Sequence, residues 1–214
     1  MRRKKMTQEE REKVMSMDDK VTRCPWAETD PLSQHYHDAQ WGRPCHDERM
    51  LFKMLILEGK QAGLAWVTIL RKWDTLCAAF DDFATDKLAV YGDAKITELL
   101  ANPGIIRNRL KVAAAIGNAH AYYRLCGEYG SLDSYVWSFT DGRQVVGKWE
   151  TMEQTPVKTP LSDTISRELK GFGFKFAGST IIYSWLQAVG VVNDHITACA
   201  FRGYETDIED RHLP

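Results

Sequence analysis

The sequence has no apolar run approaching the length of a bilayer span, and nothing at its start reads as a secretory signal. No membrane association is therefore expected, and the cytoplasm is the expected location. Cysteine is scarce and odd in number, five in 214 residues, which argues against a disulfide framework and for reduced thiols or metal ligands. Charge of one sign is not in excess either. With 28 basic and 29 acidic residues the formal net charge is -1, so any nucleic-acid surface has to be a local patch rather than a global field. Strand patterning is nearly missing: Gln144-Val145-Val146 is the one strand-like fragment, too short and isolated to found a sheet. Internal repeats and low-complexity linkers are absent as well.

What remains is an ordinary globular composition, 44% hydrophobic and 27% charged, with apolar residues at helical spacing almost throughout. An all-α fold is expected. Residues 1–20 carry little to bury and read as a flexible charged extension, residues 21–203 as the helical domain, and residues 204–214 as an acidic tail. Helices are expected at Asp86 to Tyr91 and Asp93 to Leu100, capped by Thr85 and Asp93, and at Ile105 to Leu125. Others follow at Leu132 to Phe139 behind Ser131, Ser162 to Lys170, Gly178 to Val189 and Asp194 to Phe201.

The most informative stretch is Leu57-Glu58-Gly59-Lys60-Gln61-Ala62-Gly63-Leu64-Ala65-Trp66. It follows Glu48 to Leu57, apolar enough to need burial on most sides, and a glycine after such a run is the usual helix stop. Glu58 is then expected at a helix break, facing a cavity. A Glu there is more often the last exposed carboxylate of a helix, but Gly59 and Gly63 leave backbone bare for a flat ligand and Trp66 offers a stacking face.

Three further groups carry chemistry. Cys24, His37, His195 and Cys199 are metal candidates; in a helix, His195 and Cys199 four residues apart would share a face. Such a pair also arises by chance, and spacing alone leaves the metal open. Leu169 to Thr180 contains Lys170-Gly171-Phe172-Gly173-Phe174-Lys175, a helix, a Gly-x-Gly turn and a second helix. Outward-pointing amides there would hold one phosphate, with Lys170 and Lys175 beside it, although a plain tight connection is the common use of such a turn. The basic group Arg107-Asn108-Arg109-Leu110-Lys111 is either a solvated face or a second track for phosphates.

Taken together, Arg23-Cys24-Pro25-Trp26, Asp30-Pro31-Leu32, Tyr36-His37-Asp38, Trp41-Gly42, Leu57-Glu58-Gly59, Gln61 to Leu64 with Trp66, Gly104 to Arg107, Val136 to Phe139, Gly173 to Phe176 and Val192-Asn193-Asp194-His195 resemble the DNA-3-methyladenine glycosylase I family. The resemblance runs from Cys24 to Cys199. It implies the helix-hairpin-helix glycosylase fold, with the hairpin at 170–176 and Lys170, Gly171, Gly173 and Lys175 on DNA. It also implies a structural zinc clip of Cys24, His37, His195 and Cys199, and a base pocket of Glu58, Tyr36 and Trp66 joined by Trp26 and Trp41. The implied activity is hydrolysis of the N-glycosidic bond of 3-methyladenine in alkylated double-stranded DNA by a monomer, with Glu58 as the catalytic carboxylate.

Two departures matter. Ser33 stands where the family often has an aromatic, implying a more open pocket wall, and the arm before Val21 is extra. Many related glycosylases carry an Asp where Asn193 stands. Lys175 lies near the nucleophilic lysine of lyase members, which leaves a bifunctional glycosylase/lyase as one alternative and a noncatalytic zinc-clipped DNA-binding module as another.

Overall fold

The computed structural model describes residues 21–203; the two terminal segments expected above lie outside them. Ten helices are described: α1 (Pro31–Ala39), α2 (Glu48–Gln61), α3 (Trp66–Leu70), α4 (Trp73–Ala79), α5 (Thr85–Leu88), α6 (Asp93–Ala101), α7 (Arg109–Tyr129), α8 (Leu132–Ser138), α9 (Pro160–Gly171) and α10 (Ser179–Ala188). Short 3-10 turns cover Pro25–Thr29, Asp81–Phe83 and Met152–Gln154, and β1 (Val145–Val146) pairs in parallel with β2 (Val192–Asn193). The architecture is helical as expected, with this one two-residue ladder added.

Helix α2 is the axis of the core. Every residue from Leu51 to Lys60 is buried, and α10, α8, α7 and α3 pack around it. Asp47 caps its start by accepting from Met50 N at 2.6 Å. Trp185 of α10, fully buried, donates its indole N–H to Leu51 O at 2.9 Å. Glu48 accepts from the amides of Leu132 and Asp133 at 2.7 and 3.0 Å, placing a carboxylate on the positive end of α8. Truncating Leu55, 2% exposed, would cost about 3 kcal/mol.

The helix does not stop at Gly59. It continues to Gln61, and the left-handed residue is Gly63, at φ +78°. Two contacts carry it past the glycine. A Cβ on Gly59 would sit 3.1 Å from Phe176 Cβ, so the bare backbone serves packing rather than a ligand. Lys111, the last member of the expected basic group, turns inward and donates to Lys60 O at 2.8 Å and Ala62 O at 2.6 Å. It thereby satisfies carbonyls that the helix end leaves open. The start of α7 is correspondingly later than expected, at Arg109, with Asn108 accepting from Lys111 N. Thr85 opens α5 rather than capping it, and Gly92, not Asp93, precedes α6.

The expected helix from Asp194 to Phe201 is absent. Its first hydrogen bond would join Thr197 N to Asn193 O. Thr197 N instead donates to Trp149 O at 2.8 Å, and Asn193 O accepts from Gly147 N at 2.9 Å. Gly147 and Trp149, just past β1, therefore take both ends of the nucleating turn. The segment curls back to the beginning of the domain, where Ala200 N donates to Thr22 O at 2.9 Å.

Between α9 and α10 lies the hairpin. Its turn residue Gly173 has φ +96°, and α7 grips it at two points. Arg124 donates twice to Phe172 O, at 2.9 and 2.6 Å. Asn118 accepts from Lys175 N at 2.7 Å and donates to Lys175 O at 3.0 Å.

Candidate active site

A cavity of about 350 Å³ opens between the N-terminal helices and the α9–α10 half of the chain. Glu58, Tyr36, Trp66, Trp26 and Trp41, drawn together above as pocket candidates, all line it. Tyr36 and Trp41 are buried. The rings form a tilted wall: centroids lie 5.3 Å apart for Tyr36–Trp66, 6.3 Å for Trp26–Tyr36 and 5.0 Å for Trp26–Trp41, the last edge-to-face. Such spacing suits aromatic contact among the residues and leaves ring faces for a further flat group.

Polar atoms in this wall lack partners. Glu58 is 4% exposed, and no described residue hydrogen-bonds its carboxyl. Burial pushes it up to about 8, so the carboxyl is largely protonated at neutral pH. Burial, then the nearby Glu58 charge, holds the Tyr36 phenol well above its ordinary range. Tyr36 Oη and Trp66 Nε1 are buried with no hydrogen-bond partner. An acid, a phenol and an indole N–H without protein partners offer a polar ligand three contacts in one cavity, where native interiors seldom leave such groups unpaired. Ser33 is buried in α1 and is not among the lining residues, so the wall expected to be more open there is not a wall of this cavity.

Beside the aromatic wall is the Cys/His cluster. Ligand atoms of Cys24, His37 and Cys199 lie within 4.8 Å of one another, all three residues buried. The His195 ring sits edge-on to His37, with centroids 4.7 Å apart. Not being helical, residues 195–199 bring His195 and Cys199 here through the turn after β2. In both histidines the δ nitrogen is engaged, His37 Nδ1 with Asp38 Oδ1 at 2.8 Å and His195 Nδ1 with Asn193 Oδ1 at 2.8 Å. That fixes the tautomer whose Nε2 carries a lone pair. His195 Nε2 is buried without a partner, and burial holds this imidazole down at about 3. The Cys199 thiol is held down at about 5, first by its hydrogen bond with the Cys24 thiol, whose own ionisation is pushed up in return. The Cys199 thiolate, the Cys24 sulfur and the His37 imidazole form a set able to hold a metal ion, with the neutral His195 imidazole beside it.

The four hairpin residues fare differently. The amides of Gly173, Phe174 and Lys175 are taken by Lys170 O, Leu169 O and Asn118 Oδ1, so none of them points outward. Gly171 closes α9, and the Lys170 and Lys175 side chains are exposed. Further on, Gly178 leads into α10 without a side-chain cap. Lys175 does not line the cavity.

Sequence reasoning missed the second wall: Met152, Thr155, Pro156 and Val157 from the loop, and Thr180, Tyr183, Ser184 and Gln187 from α10. Their signal was a polar stripe at i, i+3, i+4 and i+7 in an otherwise apolar helix, which marks one face turned away from the core.

The methyladenine glycosylase family model matches residues 26–203. DNA-3-methyladenine glycosylase 1 of Escherichia coli (strain K12) is 43% identical over 179 residues, covering 84% of this chain and 96% of that protein. Among solved structures, 3-methyladenine DNA glycosylase I from Staphylococcus aureus superposes with a TM-score of 0.83 at 32% identity, covering 87% of this chain and 99% of that one. A single-residue variant of 3-methyladenine DNA glycosylase I in complex with 3-methyladenine matches with a TM-score of 0.82, also at 32% identity, covering 86% and 99%. The fold, the cavity and these likenesses agree, and the chain belongs to the methyladenine glycosylase family.

Proposed function

We infer that this chain is a base-excision repair glycosylase that hydrolyses the N-glycosidic bond of 3-methyladenine in alkylated DNA, releasing the free base and leaving an abasic site. The observation that carries the reading is the unpartnered Glu58 carboxyl among aromatic walls. Methylation at N3 leaves adenine formally cationic in the nucleotide, so the bond to C1′ is already weak and the leaving base needs no proton. The enzyme has to draw the base out of the stack, select it and bring water to the sugar. A cation entering the cavity favours ionised Glu58, because an adjacent positive charge offsets the burial that keeps it protonated. The carboxylate then accepts from the adenine edge while Tyr36, Trp66, Trp26 and Trp41 pack on the electron-poor ring. Glu58 is thus the catalytic residue, acting by preferential binding of developing and existing charge.

Duplex DNA would be gripped at 170–176, with Lys170 and Lys175 on phosphates and the uncapped start of α10 beside them. The chemistry is monofunctional in this reading, since Lys175 lies outside the cavity where a Schiff base would form. Cys24, His37, His195 and Cys199 would hold zinc; the orphaned His195 Nε2 and the two fixed tautomers support the assignment. With four protein donors such an ion has no open position, so it would add folding energy and not activate water. Five cysteines free of disulfides suit a reducing compartment, and we place the protein in the cytoplasm as a monomer.

The test is incubation with methylated duplex DNA, followed by chromatography of the released bases. Free 3-methyladenine is expected; release of no base would overturn the reading.

A further inference from the structure

The wall contributed by α10 holds a buried polar network that the recognition of the base does not use. Asp194, 1% exposed, receives three neutral donors: Trp149 Nε1 on Oδ1 at 2.7 Å, and Tyr183 Oη and Gln187 Nε2 on Oδ2, the latter at 2.7 Å. Gln187 lines the cavity. Its backbone oxygen is anchored as well, accepting from Gly42 N at 2.9 Å and Gly190 N at 3.2 Å. A carboxylate beside the amide settles which way it is turned: the NH₂ faces Asp194, and Oε1 is the polar atom left for the cavity. No described residue donates to Oε1.

Resting on the excision reading above, we propose that Gln187 is the positioning residue for the attacking water, its Oε1 accepting from the water while Asp194 holds the amide in place. The direction of α10 supports this. The helix leaves the hairpin at Ser179 and reaches Gln187 two turns later, with Thr180, Tyr183, Ser184 and Gln187 along the cavity. A nucleotide whose phosphate lies at the hairpin and whose base reaches Glu58 has its sugar in between, along this face. The negative charge of Asp194 polarises the hydrogen-bonded amide, making Oε1 a stronger acceptor and a favourable neighbour for a sugar ring that is becoming cationic. In the step itself C1′–N9 breaks and its electron pair neutralises the departing base. The water oxygen bonds to C1′, and the surplus proton passes to solvent.

The experiment has two arms on methylated duplex DNA. Gln187→Met keeps the side chain's length without the oxygen; single-turnover excision should slow by about 10- to 100-fold, while binding of free 3-methyladenine stays within about twofold. In the second arm wild-type protein works in dilute methanol, and sites carrying a methyl glycoside are counted by their resistance to alkaline strand cleavage. A held water excludes the alcohol, so these sites should fall well below methanol's share of the solvent, and Gln187→Met should raise them several-fold. Excision by Gln187→Met at the wild-type rate, or statistical partitioning in wild type, overturns the proposal. The wild-type arm decides alone if the variant does not fold. Absence of any base release by wild type would instead strike the excision reading.

Discussion

The aromatic cavity and the Cys/His cluster share a helix, since Tyr36 faces one and His37 the other, and both contain buried polar atoms without partners. They differ in the room left around those atoms. Glu58, Tyr36 Oη and Trp66 Nε1 surround a space of about 350 Å³, whereas Cys24, His37 and Cys199 bring their ligand atoms within 4.8 Å of one another. Unsatisfied groups around a roomy space suit an organic ligand; groups that nearly touch suit a single ion. Lys60 supplies a third case two residues from Glu58. Its Nζ is buried without a hydrogen-bond partner, 3.8 Å from the Phe80 ring centroid, and the recess it lines is only about 10 Å³, too small for an organic ligand.

The largest expected effect breaks the cavity side of this comparison. Glu58→Gln should lower excision by about 10²-fold or more with folding intact. In wild type, kcat/KM should rise with pH to a plateau above about 8, because the free enzyme must lose the Glu58 proton to receive a cation, and the variant's profile should be flat there. Stability follows the opposite sign. A carboxyl whose folded pKa lies above its unfolded one loses stability as pH rises from its ordinary value to about 8. Denaturant titrations at pH 6 and pH 8.5 should therefore show the variant gaining on wild type, by about 1–3 kcal/mol at the higher pH.

Next comes the cluster. Cys199→Ala should lose bound metal, measured by elemental analysis, and cost on the order of 3 kcal/mol in unfolding experiments. Metal-free wild type as stable as the loaded protein would show that close packing of donors is not enough. Lys60→Met sharpens the contrast from the other side. Burial, and then Lys111, hold the Lys60 amine down at about 7, so its cost grows as pH falls from its ordinary range toward 7 and levels off below. Its removal should stabilise the protein by about 1–3 kcal/mol at pH 7, with excision unchanged. The smallest effect is at the hairpin, where Lys170→Gln and Lys175→Gln should each weaken DNA binding a few-fold and reduce the salt slope by about 1, with free-base binding untouched.

The sequence disclosed what local pattern controls. The apolar density of 48–57 announced the core helix, Ser131 announced the start of α8, and the Gly-x-Gly turn marked the hairpin. Partners distant in sequence decided the rest. Gly59 reads as a stop until Phe176 and Lys111 are present to carry the helix past it. Residues 194–201 read as a helix until Trp149 and Gly147 take the hydrogen bonds it would need. Of the candidate site, the N-terminal wall and the Cys24, His37 and Cys199 cluster, with His195 beside it, were legible because their residue types are distinctive. The α10 wall was not, since Gln187 and Asp194 acquire meaning only from each other.

Helix α7 touches both working ends of the molecule. Near its start Lys111 secures the end of the helix that carries Glu58, and further along Asn118 and Arg124 secure the hairpin. A single stiff rod thus acts as a ruler between the place where the DNA strand would be grasped and the place where its base would be read. The span between the hairpin and the Glu58 helix is therefore set by one element, and neither end can shift along α7 without breaking those hydrogen bonds.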